Sequence, residues 1–328
     1  MYKHFFNLTR NPFDLTPDPS CFVSTKRHDE ALSVLYYGVR RHKGFVVVTG
    51  EVGTGKTLLL RCLLGLFKES KDIAYAYLFN GRLTSTEFLQ YILADFGIPG
   101  FGKNKAELLI DLGQFLVSRG SKKLTTVLIV DEAHHLSEDI LEEVRLLSNL
   151  ETDDDKLLQI VLVGQPELDG KLDSVGLRQL KQRIAVRTQL GPLDVDETKL
   201  YIERRLQIAG AAPDSSPLFS EEAVARVYRY SRGLPRLINT LCENGLITAY
   251  ARRLPIVTAE VIDDVAKEFR LHVMGSIETA TSESQKGDIQ RAIKVLIDLY
   301  PALRRTIASN TDLDAPVSVE ASKHEPNI

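Results

Sequence analysis

Apolar positions in this chain fall into two spacings. Near-continuous runs of Val, Ile, Leu and aromatic residues occupy 45–49, 73–79, 126–130 and 159–163, with a weaker one at 184–190. Runs of that length without polar alternation predict parallel strands buried on both faces. Between them the apolar residues recur at helical spacing, over 56–68, 84–96, 104–119 and 138–149. A further helix is expected at 28–41, with Ala31, Leu32, Leu35 and Val39 on one face. Strands that alternate with helices imply an α/β sheet with right-handed crossovers. After Gly191-Pro192-Leu193 only helical periods remain, at 194–209, 220–231, 235–252 and 258–269, the last with Thr258 as N-cap. This second region reads as a small all-helical domain.

The ends of the chain have a different texture. Residues 1–25 carry Asn11-Pro12-Phe13 and Pro17-Asp18-Pro19, and are expected to be irregular and pinned to the body by Phe5, Phe6 and Phe13. Residues 275–288 read as a linker and 289–308 as an amphipathic helix interrupted at Pro301. The stretch 309–328, with four acids against one lysine, reads as a disordered tail. The expected boundaries are an N-terminal segment over 1–27, an α/β domain over 28–191, a helical domain over 192–270, and a linker and tail over 271–328.

The strongest chemical signal follows the first strand. Gly50-Glu51-Val52-Gly53-Thr54-Gly55-Lys56-Thr57, with Leu58 next, fits the phosphate-loop pattern between a strand and a helix. Glycines let the backbone curl so that successive N–H groups face an anion, and the helix adds its positive end. Lys56 is expected on the β- and γ-phosphates of a nucleotide, and the Thr57 hydroxyl on Mg²⁺. The bland alternative, a Gly-rich turn with a chance Lys-Thr, does not explain the strand and helix on either side. The run Leu128-Ile129-Val130 ends in Asp131-Glu132, where such a sheet presents its metal and water chemistry. Asp131 is the expected Mg²⁺ partner, and Glu132 the group that orients or deprotonates water. Acids at a helix start are common, so this pair gains its meaning from Lys56 and Thr57. The fourth strand ends in Gly164-Gln165-Pro166, which puts Gln165 in reach of a γ-phosphate or the water. Adjacent His134 and His135 do not share a helical face, which argues against one metal between them. Arg236 is a candidate to meet transition-state charge from its own chain, and Arg183 or Arg178 from a neighbouring subunit. A lone arginine is more often simply solvated.

Composition narrows the setting without changing this picture. The chain has 328 residues, 44% hydrophobic and 26% charged, with a net charge of −3. Two domains that each bury a core are the expectation, with no overall basic field for nucleic acid. Cys21, Cys62 and Cys242 have neither metal-ligand spacing nor a pairing framework, which suits a reducing compartment. Neither a signal-peptide core nor a run of about 18 apolar residues occurs, so no integral membrane segment and a cytoplasmic location are expected.

Together these residues resemble an AAA+ ATPase. More narrowly, the chain is similar to the ExeA/general secretion pathway protein A family, related to Orc/Cdc6-type and transposition-helper ATPases. The resemblance spans about residues 1–270. It rests on Asn11-Pro12-Phe13 with Leu15-Thr16-Pro17-Asp18-Pro19, His28-Asp29-Glu30-Ala31-Leu32, the phosphate loop and Asp131-Glu132-Ala133-His134. Gly164-Gln165-Pro166-Glu167-Leu168, Gln182-Arg183-Ile184 and Gly233-Leu234-Pro235-Arg236 complete it. It implies a P-loop NTPase fold of the AAA+ type, a parallel five-stranded sheet flanked by helices with a C-terminal all-helical lid. It further implies ATP and Mg²⁺ as cofactors, Gln165 as sensor 1, Arg236 as sensor 2 on the lid, and Arg183 as the trans-acting arginine with Arg178 as fallback. Pro12 and Phe13 are implied near the adenine, and an ATP-dependent ring or filament of identical subunits is implied as the working form.

Secretion-type members of that family continue into a membrane segment and a peptidoglycan-binding domain, whereas this sequence runs into the polar stretch 309–328. The expectation is therefore a soluble ATPase that assembles or remodels a protein machine of secretion, exopolysaccharide export or the envelope. The competing expectation is an ATP-dependent helper of transposition or replication on duplex DNA, with Arg40-Arg41-His42-Lys43 and Lys181, Arg183 and Arg187 along a DNA path. A third is a nucleotide-binding switch with negligible turnover, which has no use for a water-activating Glu132.

Overall fold

Strand burial orders the sheet. In the computed structural model β1 (Phe45–Gly50), β3 (Thr125–Val130) and β4 (Gln159–Gly164) are buried along their whole length, whereas β2 (Ile73–Leu78) and β5 (Ile184–Leu190) are partly exposed. The order is β2-β3-β4-β1-β5, with every pairing parallel. The central strands carry three of the near-continuous apolar runs, the edge strand β2 carries the fourth, and the edge strand β5 carries the weaker one. The structure describes residues 1–16, 18–79, 83–152, 155–212 and 216–271. The chain divides into Met1–Leu271 and His272–Ile328, and all described residues belong to the first unit. The expected linker, helix and tail after 271 lie outside them.

The strands' period of two sorts side chains to opposite faces. Phe45, Val47, Leu128, Val130, Ile160 and Leu162 pack against α4 (Ser85–Asp95), α5 (Lys105–Gly120) and α6 (Glu138–Leu147). Val46, Val48, Val127, Ile129, Val161 and Val163 meet α2 (Lys26–Arg40) and α3 (Lys56–Glu69). Two short helices, α7 (Glu167–Leu172) and α8 (Arg178–Gln182), fill the crossover to β5. Thr84 with Glu87 and Asn104 with Glu107 form reciprocal capping boxes that fix where α4 and α5 begin.

The helical region comprises α9 (Val195–Ile208), α10 (Glu221–Ser231), α11 (Pro235–Ala251) and α12 (Ala259–Glu268). Thr258 occupies the N-cap position of α12 but makes no side-chain capping bond. The N-terminal segment joins this region rather than the sheet. It contains a short helix, α1 (Tyr2–Phe5), and a 3₁₀ turn at Pro19–Cys21. Phe6 and Phe13 are buried with Ile238, Leu241 and Val257, while Phe5 stays 41% exposed against Tyr250. Cys21, Cys62 and Cys242 are free thiols.

Candidate nucleotide site

Strand order brings the chemistry together. Because β4 lies between β1 and β3, Gln165 at its end stands between the phosphate loop and Asp131-Glu132. The loop depends on two left-handed glycines, Gly53 at φ +85° and Gly55 at φ +97°, a backbone region costly for residues with a Cβ. Gly55 is the N-cap of α3, so the positive end of a 14-residue helix opens onto the loop. Lys56 Nζ donates to the Gly50 carbonyl at 2.8 Å and the Glu51 carbonyl at 2.9 Å, which leaves one ammonium hydrogen for an anion. Burial lowers the Lys56 pKa, opposed by the charges of Glu132 and Asp131.

The Thr57 hydroxyl lies 3.2 Å from Asp131 Oδ2, which also accepts from Tyr77 at 2.9 Å. The Glu132 N–H donates to Asp131 Oδ1 at 2.9 Å. Burial raises the Asp131 pKa, offset by these hydrogen bonds. Burial and the Asp131 charge raise the Tyr77 pKa well above its ordinary value, so it remains a donor. Among the described residues no group of three or more His, Cys, Asp or Glu side chains is placed to hold a metal. One hydroxyl with one carboxylate still suits Mg²⁺, which takes few protein ligands and completes its shell with phosphate oxygens and water.

Glu132 is the unusual residue of the site. It holds a left-handed backbone at φ +51°, a strained position for a non-glycine residue. Its Oε2 is buried without a hydrogen-bond partner. His134 Nδ1 is 3.4 Å away but accepts the Gln165 N–H at 3.3 Å, so it has no proton to offer the carboxylate in the neutral tautomer. Burial, with repulsion from His135, lowers the His134 pKa and favours that neutral form. Lys171 fixes the same turn by donating to the His134 carbonyl at 2.7 Å and the Leu136 carbonyl at 2.6 Å. An orphaned buried carboxylate oxygen beside a phosphate loop fits an incoming water.

These groups surround one cavity of about 330 Å³. Val52, Gly53, Gly55, Lys56, Thr57, Leu58, Glu132, Gln165 and Arg236 line it. Gly50, Glu51 and Thr54 lie behind that surface and shape the loop through their carbonyls, which bind Lys56 and His28. The far wall consists of Asp14, Leu15, Thr16 and Asp18 from the N-terminal strap, with Tyr201, Arg205, Pro235 and Asn239 from the lid.

Pro12 and Phe13, implied near the adenine, do not line the cavity. Phe13 is fully buried in the helical core, edge-on to Phe219 at 5.9 Å, because an aromatic ring gains more there than at a polar cavity. Pro12 presents its carbonyl to Arg205 at 2.6 Å rather than its ring to the cavity. Arg183 does not line its own chain's cavity: it donates to Ser148 Oγ at 2.7 Å, whereas Arg178 is exposed. Four of the cations considered for a DNA path have a carboxylate partner. Arg40 pairs with Asp72, His42 with Asp155, Lys181 with Asp173 and Arg187 with Asp169. Tyr77, His28 and Arg205 were not anticipated from the sequence. Tyr77 reads there as one more apolar strand residue, and Arg205 as the surface of a charged helix.

Residues 39–172 match the family model described as an AAA domain. The chain is 44% identical over 253 residues to General secretion pathway protein A of Aeromonas hydrophila, a match that covers 77% of this chain and 45% of that protein. This chain therefore spans under half of that relative's length. Among solved structures, Cdc6p of Pyrobaculum aerophilum aligns with a TM-score of 0.58 at 20% identity, over 78% of this chain and 70% of its own. The Aeropyrum pernix ORC2 protein, in its ADPNP-ADP complexes, aligns with a TM-score of 0.59 at 17% identity, over 79% and 71%. The fold is that of an AAA domain followed by a helical region. No helix among the described residues is long and apolar enough to cross a membrane.

Proposed function

We propose that this AAA-domain chain binds Mg-ATP, hydrolyses its terminal phosphoanhydride bond, and uses the cycle to assemble or remodel a protein machine. The observation that carries the reading is the orphaned Oε2 of Glu132, held in a strained backbone and lining the same cavity as Lys56 and Thr57. The phosphates lie on the loop N–H groups and the start of α3, with the remaining Lys56 N–H on the γ-phosphate. Thr57 and Asp131 would hold Mg²⁺, which neutralises charge on the β- and γ-oxygens. Glu132 accepts a proton from the attacking water as its oxygen bonds to the γ-phosphorus, and the bond to the ADP oxygen breaks. Gln165 contacts the γ-phosphate side, and Arg236 brings positive charge from the lid. A ring or filament of identical subunits would let Arg183 or Arg178 complete a neighbour's site.

The likeness to General secretion pathway protein A of Aeromonas hydrophila supports a partner in a secretion or envelope assembly. Arg40, His42, Lys181 and Arg187 each pair with a carboxylate, which weakens the case for a duplex DNA path.

Steady-state ATP hydrolysis, with and without duplex DNA at low and physiological salt, tests this reading. Expected is Mg²⁺-dependent turnover indifferent to DNA, with Lys56→Ala losing roughly 10–100-fold in ATP affinity and Glu132→Gln binding ATP but turning over at least about 100-fold more slowly. Wild-type turnover no faster than Lys56→Ala would leave a binding switch. Stimulation by DNA that fades with salt would move the protein to the DNA-helper class.

A further inference from the structure

Arg205, on α9, is buried to 4% exposure and belongs to the cavity's far wall. Its guanidinium donates to three main-chain carbonyls of the N-terminal strap: Pro12 at 2.6 Å, Cys21 at 3.1 Å and Asp14 at 3.2 Å. Its charge lies over the Tyr201 ring at 5.8 Å, and the Tyr201 hydroxyl is fixed by Asn239 Oδ1 at 2.9 Å. A buried cation bonded to neutral carbonyls is a costly way to hold a loop. Its return is geometric, because a planar fork sets three strap positions at once. The strap residues between those anchors, Asp14, Leu15, Thr16 and Asp18, are the ones that face the cavity.

We propose that Arg205 is a positioning residue for nucleotide recognition: it clamps the strap so that Asp14, Leu15, Thr16 and Asp18 wall the base-and-ribose end of the cavity, while the phosphate loop acts independently at the other end. The inference rests on the nucleotide-site reading above. Three carbonyls spread over ten positions of chain fit the guanidinium fork and not a single ammonium. Arg205→Lys therefore keeps the charge and loses the clamp.

The test compares ATP with inorganic tripolyphosphate, which carries the phosphates without base or sugar, by titration against wild type, Arg205→Lys and Lys56→Ala. Expected is a loss of roughly tenfold in ATP affinity for Arg205→Lys, of the order of one or two hydrogen bonds, with tripolyphosphate affinity unchanged. Lys56→Ala should weaken both ligands. Equal loss of both ligands in Arg205→Lys, or loss of neither, overturns the proposal. Wild-type binding that Lys56→Ala leaves intact overturns the nucleotide-site reading itself, and the clamp with it. Hydrogen exchange on the wild type needs no variant to fold: the amides of Leu15 and Thr16 should gain protection with ATP and not with tripolyphosphate. Equal exchange in the two complexes contradicts the clamp.

Discussion

The Arg236 N–H donates to the Gly53 carbonyl at 3.2 Å, so the first turn of the lid helix α11 is fastened by main chain to the crown of the phosphate loop. Gly53 has no room for a side chain there, since a Cβ would approach Arg236 Cβ to 2.8 Å. Lid and loop are one mechanical unit, and displacement of either strains the other.

That coupling passes through Gly233, two residues before α11. Its φ is +75°, a Cβ there would collide with the Leu193 carbonyl, and its own carbonyl accepts the Leu193 N–H at 2.9 Å. Gly233→Ala should cost at least about 1–3 kcal/mol of stability and weaken ATP binding as the lid shifts. Gly113→Ala, in the middle of α5 with nothing within 4 Å, should be neutral or slightly stabilising. Thermal melts with and without ATP check both. A Gly233→Ala protein with wild-type melting and affinity would uncouple the lid from the site.

Phe13 belongs to the core of the helical region. Phe13→Ala should destabilise by about 3–5 kcal/mol, as buried aromatic truncations do, while leaving the ratio of ATP to GTP affinity at its wild-type value wherever the protein remains folded. Altered base preference without loss of stability would return Phe13 to the adenine.

Arg183 reaches Ser148 on its own chain and not its own cavity. Its catalytic contribution is therefore expected in trans. Mixing Arg183→Ala, whose Glu132 is intact, with Glu132→Gln, whose Arg183 is intact, should restore part of the turnover. Complementation by Arg178→Ala and not by Arg183→Ala would transfer the role to the exposed residue.

His28 braces the loop from α2: its Nε2 lies 3.2 Å from the Thr54 carbonyl and its Nδ1 2.8 Å from the Thr25 hydroxyl. Burial pushes its pKa below the ordinary 6.5. Below that pH the unfolded chain takes up a proton that the folded chain refuses. The contribution to stability is therefore complete above about pH 6.5 and is lost as pH falls through the folded value. His28→Gln can keep the bond to Thr54 and cannot titrate, so its stability should fall less between pH 7 and 5. Parallel denaturant midpoints for the two proteins across that range would mean that His28 titrates as if exposed.

Much of the site was legible in the chain because its geometry is local. Residues 50–57 hold everything a phosphate loop needs within one turn of backbone, and Asp131-Glu132 are placed by the end of their own strand. Continuous apolar runs and helical spacing likewise determined the α/β region and the helical one, since each records which residues are buried. What tertiary structure alone decided depends on contacts between distant segments. Tyr77 reads as a core strand residue until β2 pairs with β3 and brings it to Asp131. Phe13 reads equally well as a cavity wall or a core ring, and packing against Phe219 chose the core. Arg205 sits in a charged stretch that looks solvated, and only the strap folded over α9 buries it. Periodicity reports how much of a side chain is hidden, but the partner that hides it comes from a segment distant in the chain, which no local pattern encodes.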